Sequence, residues 1–419
     1  MGYVVTILLV AVPTFFAVVA PRRTPLQARL SFVGGLVVNE MPLWPALWVA
    51  GATVLAAVDG TLRTAPGVVG AGLAALTLIG LGVILRRGLA ARPVLVRALA
   101  DAGLTRAADA SRRGPWRDLA AGLFPFVVRS PRVVRRRDVP YGPHGRRNLL
   151  DVYLPRRAAR ASSPAPAPVL VYFHGGGYAS GRKDREARLL MHRAVRAGWV
   201  AVSAAYRLRP DAGMAEHLAD ADAAIAWVRA HADELGADAD RVAVAGSSAG
   251  AHLASVLALR RPGAPLAAAG ADGGVRPVAV VGLYGWYGGY FGGGTASANP
   301  GDLAHAGAPP FLLIHGDQDT YVPPAMAQRL AERLRSVSRA PVVHAELPGA
   351  QHGFDLLRSP RFSAVTDAVL AALDELLASW DGPSTTQGVV DVRKAPSNGP
   401  TTTDLYATEP PGESPGRSS

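Results

Sequence analysis

The sequence predicts an α/β fold, a mostly parallel sheet with crossover helices, preceded by membrane-spanning helices. Residues 138–380 alternate short β-branched runs with helical stretches, which is the pattern of parallel strands joined by helices. Three apolar blocks lie in the first 85 residues, at 4–20, 41–58 and 67–85, and each is close to the roughly 20 residues that cross a bilayer. We therefore expect a membrane anchor over residues 1–85 and one α/β domain after it.

Composition excludes several classes of protein. The chain has 419 residues, of which 49% are apolar and 18% charged, and this argues against a disordered or nucleic-acid-tail protein. It contains no cysteine, so disulfide scaffolds, thiolate zinc sites, iron–sulfur ligation and cysteine nucleophiles are all excluded. The net charge of +12 resembles a nucleic-acid signal until it is mapped along the chain.

Most of the net positive charge lies in one segment, residues 86–137. This segment holds thirteen arginines against three aspartates. Because it directly follows the third apolar block, we interpret it as a basic juxtamembrane linker whose partners are anionic membrane lipids rather than nucleic acid. A plain stop-transfer flank without lipid specificity is the alternative. At the other end, residues 381–419 are rich in Ser, Thr, Pro and Gly, which predicts a disordered tail.

The anchor is predicted to cross the membrane three times. The second block is the weakest, because Pro42 and Pro45 stand at its start, so a re-entrant segment and two spans are the alternative. A cleavable signal peptide is disfavoured for the first block, which has no basic residue before it. Arginine is concentrated after the first and third blocks, which predicts a multi-pass protein with its N-terminus outside and the α/β domain in the cytoplasm.

The elements of the α/β domain follow from hydrophobic periodicity and turn residues. Strands are predicted at 149–154, 169–173, 200–205, 242–245, 279–284, 311–315 and 342–347. Helices are predicted at 182–197, 215–232, 249–260, 325–336 and 363–380.

The strongest chemical signal is the sequence Gly246-Ser247-Ser248-Ala249-Gly250, a G-x-S-x-G motif. It stands directly after a predicted strand and directly before a predicted helix, which is the context of a nucleophile elbow. Small flanking residues let the backbone turn sharply there, so that the central hydroxyl projects at the carboxyl end of the sheet. Ser248 is therefore the candidate nucleophile.

The second signal is His174-Gly175-Gly176-Gly177-Tyr178, just after the predicted strand 169–173. Attack on a carbonyl creates an oxyanion, and a glycine loop lets backbone N–H groups converge on it without obstruction by side chains. The N–H groups of Gly176, Gly177 and Ala249 are the predicted donors. A glycine turn without function is the alternative interpretation of this loop alone.

The acid and the base are each predicted at a strand end. Asp319 and Asp317 both follow the strand 311–315, and we favour Asp319 as the carboxylate that orients a histidine, with Asp317 as a turn residue. His352 follows the last strand on a loop and is the candidate general base. His252 is expected to pack beneath the site. The chain order Ser248, Asp319, His352 is that of a serine hydrolase triad.

Residues 138–380 resemble the esterase/lipase group of the α/β-hydrolase superfamily, which includes feruloyl-esterase-like, kynurenine-formamidase-like and hormone-sensitive-lipase-like carboxylesterases. Besides the motifs above, the match rests on 150–155 (LDVYLP), 206–210 (YRLRP) and the helix 220–227. The elbow reads GSSAGA where hormone-sensitive-lipase-like enzymes usually have GDSAGG, so the feruloyl-esterase-like or formamidase-like branch is closer. The resemblance implies an α/β-hydrolase fold and a serine carboxylesterase or lipase that needs no cofactor.

Substrate signals are fewer. Aromatic residues near the oxyanion loop and after the strand 279–284 are predicted to line an acyl or alcohol pocket, the alternative being that they cover the sheet edge. The candidates are Tyr178, Tyr284, Trp286, Tyr287, Tyr290 and Phe291. A membrane anchor beside an ester-cleaving site suggests lipophilic esters. The sequence shows no metal-ligand spacing, phosphate loop or dinucleotide motif, so no metal and no cofactor are predicted.

Other functions use the same residues. An acyltransferase would use the same triad and exclude water from the acyl-enzyme. An amidase or peptidase would also use it, although prolyl-oligopeptidase-like enzymes carry a propeller upstream that is not found here. A hydrolase fold without activity, serving as a membrane scaffold, is the alternative from another class, and the complete triad argues against it.

Overall fold

The structure is a computed structural model. The residues that it describes are 2–112, 115–156, 165–261, 277–290 and 298–380. The predicted disordered tail, 381–419, lies outside the described residues.

One sheet of eight strands forms the centre of the molecule, in the spatial order β1-β2-β4-β3-β5-β6-β7-β8. The strands are β1 (Val133–Pro140), β2 (Leu149–Pro155), β3 (Ala167–Phe173), β4 (Val200–Ala204), β5 (Ala237–Ser247), β6 (Val280–Leu283), β7 (Phe311–Gly316) and β8 (Val342–Leu347). Strand β2 is antiparallel to both of its neighbours, and all other pairs are parallel. The predicted α/β fold with a mostly parallel sheet is confirmed.

Helices cover both faces of the sheet and form the N-terminal region. They are α1 (Gly2–Val19), α2 (Pro25–Glu40), α3 (Leu43–Val58), α4 (Ala65–Asp101), α5 (Thr105–Ala110), α6 (Pro115–Leu123), α7 (Arg188–Arg196), α8 (Met214–Ala230), α9 (Ala232–Leu235), α10 (Ala249–Leu259), α11 (Pro300–Leu303), α12 (Ala325–Val337) and α13 (Pro360–Ala378). Two large clusters of buried apolar side chains form the core. Alternate residues of β3 belong to different clusters, Leu170 to one and Val171 to the other, as expected for a sheet that is buried on both faces.

The segment 86–137 differs from the predicted linker, because most of it belongs to the fold. Helix α4 continues without a break to Asp101, and its Arg92 is buried. The Arg92 guanidinium pairs with the carboxylate of Asp118 at 2.6 Å and with that of Asp367 at 3.0 Å. Arg92 therefore holds α4 against α6 and α13, and a count of charges along the chain does not reveal this role.

Strand β1 also begins inside the predicted linker and ends just beyond it. It pairs in antiparallel fashion with β2, from Val133 opposite Pro155 to Pro140 opposite Leu149. Most of its residues are exposed or half-buried, because it is the edge strand. Because it contains arginines at 135, 136 and 137, the sequence analysis assigned this segment to a basic linker. Charged side chains are also common on edge strands, where they prevent pairing with other chains.

The apolar helices α1, α3 and α4 run alternately up and down. At the end far from the sheet, the Tyr3 hydroxyl lies 2.9 Å from Thr53 Oγ1, and Gly70 lies against the Tyr3 ring. At the near end, the Val18 carbonyl accepts a hydrogen bond from Arg87 at 2.9 Å. Helices α1 and α4 are each long and apolar enough to cross a membrane, and α2 with α3 forms a bent pair that passes the same test together.

Helix α2 was not predicted, and it lies at the end of the N-terminal helices that is near the sheet. Its start is a capping box, in which Thr24 accepts from the Gln27 N–H and the Gln27 side chain accepts from the Thr24 N–H. The axes of α2 and α3 differ by 84°, with the break at Met41 and Pro42. Pro42 and Pro45 thus lie at a turn between two helices. The same two prolines were the reason for the re-entrant alternative in the sequence analysis.

Candidate active site

The G-x-S-x-G turn joins β5 to α10 at the carboxyl end of the sheet. Ser248 has φ of 53° and ψ of −116°, a strained conformation that points its hydroxyl away from both elements. The flanking glycines are required by close packing. A Cβ on Gly246 would lie 2.3 Å from the Gly250 carbonyl group, and one on Gly250 would lie 2.1 Å from the Phe173 carbonyl oxygen.

The three residues predicted as nucleophile, base and acid lie in one hydrogen-bonded row. Ser248 Oγ is 3.0 Å from His352 Nε2, and His352 Nδ1 is 2.8 Å from Asp319 Oδ2. Asp319 follows β7 and His352 follows β8, so parallel neighbouring strands bring their loops to the same edge. The row has the geometry by which a histidine accepts the serine proton while a carboxylate holds its other nitrogen.

Asp319 is the buried carboxylate of this row. Its Oδ1 accepts the backbone N–H groups of Tyr321 and Val322, both at 2.8 Å, and its Oδ2 lies 3.3 Å from His315 Nε2. Burial by itself raises the pKa of Asp319, but the charge of His352 and the hydrogen bonds from both histidines outweigh it and hold the pKa below its usual value. The group therefore stays ionised, as an acid that orients an imidazole must.

The alternative aspartate does not reach His352. Asp317 Oδ1 accepts the backbone N–H of Gly349 at 2.7 Å and so ties the β7 loop to the β8 loop. The structure thus separates the two carboxylates in the way favoured from the sequence.

The glycine loop after β3 lies directly against Ser248. A Cβ on Gly175 would be 3.1 Å from the Cβ of Ser248 and 3.0 Å from the Ser247 carbonyl oxygen. Gly176 has φ of 116° and Gly177 has φ of 62°, conformations that favour glycine. A Cβ on Gly176 would also collide with the Ser180 carbonyl oxygen at 2.2 Å. The loop and the first residue of α10, Ala249, therefore bring backbone groups to the serine from two sides.

Two carboxyl groups beneath the site, that of buried Asp355 and that of half-buried Glu186, were missed by the sequence analysis. Glu186 Oε2 accepts the N–H of Gly175 at 2.6 Å. Asp355 accepts the hydroxyl of Ser247 at 2.6 Å and the hydroxyl of Tyr284. The Tyr172 hydroxyl lies between them, 3.3 Å from the Glu186 carboxylate and 3.4 Å from that of Asp355. These contacts fix the start of the glycine loop and the residue before the nucleophile.

Two close acidic groups in a buried site oppose each other's ionisation. Burial, and then the charge of Asp355, raise the pKa of Glu186 to about 7, while the N–H of Gly175 and the charge of Arg185 lower it. Burial also raises the pKa of Asp355. Neither residue belongs to a motif, and the only sequence signal is the position of Asp355 three residues after His352.

The predicted pocket aromatics have different surroundings. Tyr178 is fully buried, and its hydroxyl lies 2.7 Å from His252 Nδ1, so it packs behind the site rather than lining an open pocket. The Tyr284 ring packs against His352 with centroids 4.6 Å apart. Trp286 is half-buried, and its backbone N–H donates to the Ser248 carbonyl. Phe291 lies outside the described residues.

Helix α2 of the N-terminal region also reaches the site, which the sequence did not indicate. The Phe32 ring lies 6.0 Å from the His352 ring and 5.1 Å from the Tyr321 ring, centroid to centroid. The Thr320 hydroxyl donates to the Ala28 carbonyl at 3.0 Å. Residues of the N-terminal region therefore touch both the loop that carries Asp319 and the His352 ring.

No group of three or more His, Asp or Glu side chains among the described residues is arranged to hold a metal ion.

A family model with the description BD-FAE matches residues 150–286. A probable carboxylic ester hydrolase of Mycobacterium tuberculosis, LipM, is 34% identical over 90% of this chain and 94% of its own length. The chain belongs to the esterase/lipase group of the α/β-hydrolases. The resemblance seen in the sequence is confirmed, and because LipM matches nearly end to end, the similarity includes the N-terminal region.

Other esterases match over shorter lengths of this chain. The esterase LipC of M. tuberculosis is 35% identical over 60% of this chain and 67% of its own length. Among solved structures, an esterase of the Planctomycetes species Thermogutta terrifontis with bound propionate aligns with a TM-score of 0.48 and 27% identity, over 59% of this chain and 94% of that chain.

Proposed function

We propose that this chain is a membrane-anchored serine carboxylesterase or lipase that hydrolyses lipophilic carboxylic esters through an acyl-enzyme on Ser248. Hydrolysis of carboxylic esters is the reaction for which the relatives LipM and LipC are named. The single observation that carries the proposal is the hydrogen-bonded row from Ser248 Oγ through His352 to Asp319.

The reaction proceeds in two halves. His352 Nε2 takes the proton of Ser248 as the serine oxygen attacks the ester carbonyl, and the N–H groups of Gly176, Gly177 and Ala249 stabilise the oxyanion. The imidazolium, held by ionised Asp319, then gives its proton to the leaving alcohol. Water, deprotonated by the same histidine, releases the acid from Ser248.

The membrane part of the proposal rests on the anchor helices. Helix α1 has 18 residues and α4 has 37, and both are apolar enough to span a bilayer. Helix α3, with 16 residues, runs between them and makes the third span. Because α1, α3 and α4 alternate in direction, three spans would put the N-terminus and the α/β domain on opposite sides of the membrane. The arginine distribution supports the cytoplasmic side for the α/β domain. Membrane lipids thus surround the N-terminal helices of the enzyme, and its substrates are esters that dissolve in those lipids.

Hydrolysis of p-nitrophenyl esters from acetate to palmitate by the purified full chain tests the proposal. We expect turnover by the wild type and a loss in kcat of at least about a thousandfold in Ser248→Ala. Ser336→Ala, which removes an exposed serine of α12, is the matched control and is expected to keep full activity. Equal activity in wild type and Ser248→Ala, or none in folded wild type with any ester, contradicts the proposal.

A further inference from the structure

Helix α2 is fastened to the loops that carry the proposed acid and base. Its Phe32 stands beside His352 and Tyr321, and one turn later Leu36 lies beside Gly353. At its C-terminal end, Glu40 forms a buried ion pair with Arg361 at the start of α13. The Ala28 carbonyl and the Thr320 hydroxyl add a hydrogen bond near its N-terminal end. One side of α2 is thus a fixed part of the active-site wall.

The opposite side of α2 is apolar and exposed. Four of its residues recur at helical spacing and form one stripe, each at least 44% exposed: Leu26, Leu30, Val33 and Val37. The helix packs on α1 and α4, and its axis lies at 84° to α3. When α3 crosses the bilayer, α2 therefore lies along its surface, with this stripe continuing the apolar surface of the spans. The same helix then faces lipid on one side and His352 on the other.

The chemistry of the reaction identifies which part of the ester lies next to Phe32. The histidine must come within hydrogen-bonding distance of the leaving oxygen in order to protonate it. The alcohol part of the ester therefore leaves from the side of His352, whereas the acyl part stays on Ser248. Phe32, Leu36 and the exposed ring of Tyr321 present apolar surface on the histidine side.

We propose that α2 forms the binding wall for the alcohol part of the substrate, and that Phe32 makes the enzyme prefer esters of long or bulky apolar alcohols drawn from the bilayer. This inference rests on the proposed function, because it assumes that His352 protonates the leaving group. It adds a specificity-determining residue from the anchor, outside the α/β domain.

Two ester series separate the alcohol side from the acyl side. Alkyl acetates from ethyl to decyl vary the alcohol, and p-nitrophenyl esters from acetate to decanoate vary the acyl chain. For Phe32→Ala in the detergent-solubilised full chain, we expect the ratio of kcat/KM for decyl over ethyl acetate to fall about tenfold. The ratio for p-nitrophenyl decanoate over acetate is expected to stay within about twofold of the wild type, because the leaving group is constant in that series.

Two further variants separate the effect of the Phe32 ring from that of the exposed stripe and from a general loss of packing. Val33→Ala, on the exposed stripe one residue further along, is expected to leave both ratios unchanged. Phe32→Leu, which keeps an apolar side chain and disturbs packing least, is expected to give an intermediate ratio. An equal loss with every alkyl acetate, a change in the acyl series instead, or unchanged ratios in both Phe32 variants would overturn the inference. Wild-type protein that hydrolyses no ester would instead remove the proposed function itself.

Discussion

Two adjacent serines at the elbow, Ser247 and Ser248, have opposite surroundings although they carry the same hydroxyl group. Ser247 is fully buried, bonds to Asp355 and lies 2.7 Å from the Tyr172 hydroxyl. Ser248 is half-buried and faces His352. The difference arises from the positive φ of Ser248, which turns its side chain out of the strand direction that Ser247 follows. Backbone strain at one residue thus turns the hydroxyl of the candidate nucleophile toward His352.

At Asp319 we expect the change to asparagine to lower kcat by about a thousandfold to ten-thousandfold with little change in KM. The amide retains the shape of the acid but does not stabilise the imidazolium, so only the transition state is affected. Steady-state kinetics with p-nitrophenyl butyrate measure this. Asp317→Asn is the control and is expected to keep wild-type kcat. Equal losses of kcat in the two variants would contradict the assignment of the acid role to Asp319.

Glu186 should make stability depend on pH. Its pKa is raised to about 7 in the folded protein, so between about pH 4.5 and 7 the folded state binds more protons than the unfolded chain. Stability from this group is therefore present at low pH and is lost as the pH rises to 7, by up to about 3 kcal/mol. We expect thermal midpoints in detergent to fall more steeply from pH 5 to pH 8 in the wild type than in Glu186→Gln.

Glutamine suits this comparison because it stays neutral and still accepts the N–H of Gly175. Parallel slopes for wild type and variant would show that the folded and unfolded forms of Glu186 titrate alike. Asp233→Asn, an acidic residue of the short helix α9, controls for the loss of one acidic group elsewhere, and its slope should match the wild type.

At the scale of elements, α2 is held to α13 by a charge pair that water does not reach. Arg361 and Glu40 are each 1% exposed, and Arg361 also donates to the Pro348 carbonyl at 3.2 Å. Replacing Arg361 by Met leaves Glu40 buried without its cation, and breaking such a pair typically costs about 3–5 kcal/mol. We expect a lower thermal midpoint, measured in detergent, for Arg361→Met than for the wild type.

The double variant Glu40→Gln with Arg361→Met removes the orphaned charge and should recover most of the lost stability, because neutral replacement of a buried pair costs little. Equal destabilisation in the single and double variants would show that Arg361 acts through packing and not through Glu40. Arg339→Met, an exposed arginine after α12, is the surface control.

For the whole molecule, the absence of cysteine allows a direct test of the arrangement in the membrane. Arg63 lies exposed between α3 and α4, and Ser379 lies exposed at the end of the α/β domain. With three spans, Arg63→Cys should react with an impermeant maleimide from outside intact cells, and Ser379→Cys only after the cells are opened. Labelling of both from the same side would contradict the three-span arrangement, and the unlabelled wild type gives the background.

The sequence was sufficient for features that are local. The elbow, the glycine loop and the two loop residues Asp319 and His352 were predicted because each depends on a short motif at a strand end, and parallel strands bring those ends together. The strands of the sheet core were predicted for a similar reason, since buried parallel strands are continuous apolar runs.

Only the tertiary structure decided what surrounds these motifs. Glu186 and Asp355 are linked through the Tyr172 hydroxyl, and Tyr172 and Asp355 are 183 positions apart in the chain, which no local pattern encodes. Arg92 looked like part of a basic flank until its aspartate partners were seen. Helix α2 has weak amphipathic character in sequence, and its place beside His352 follows from how α1, α3 and α4 pack. Local motifs determine the candidate triad because backbone geometry is short-range, whereas burial, charge pairing and the proposed substrate wall depend on long-range packing.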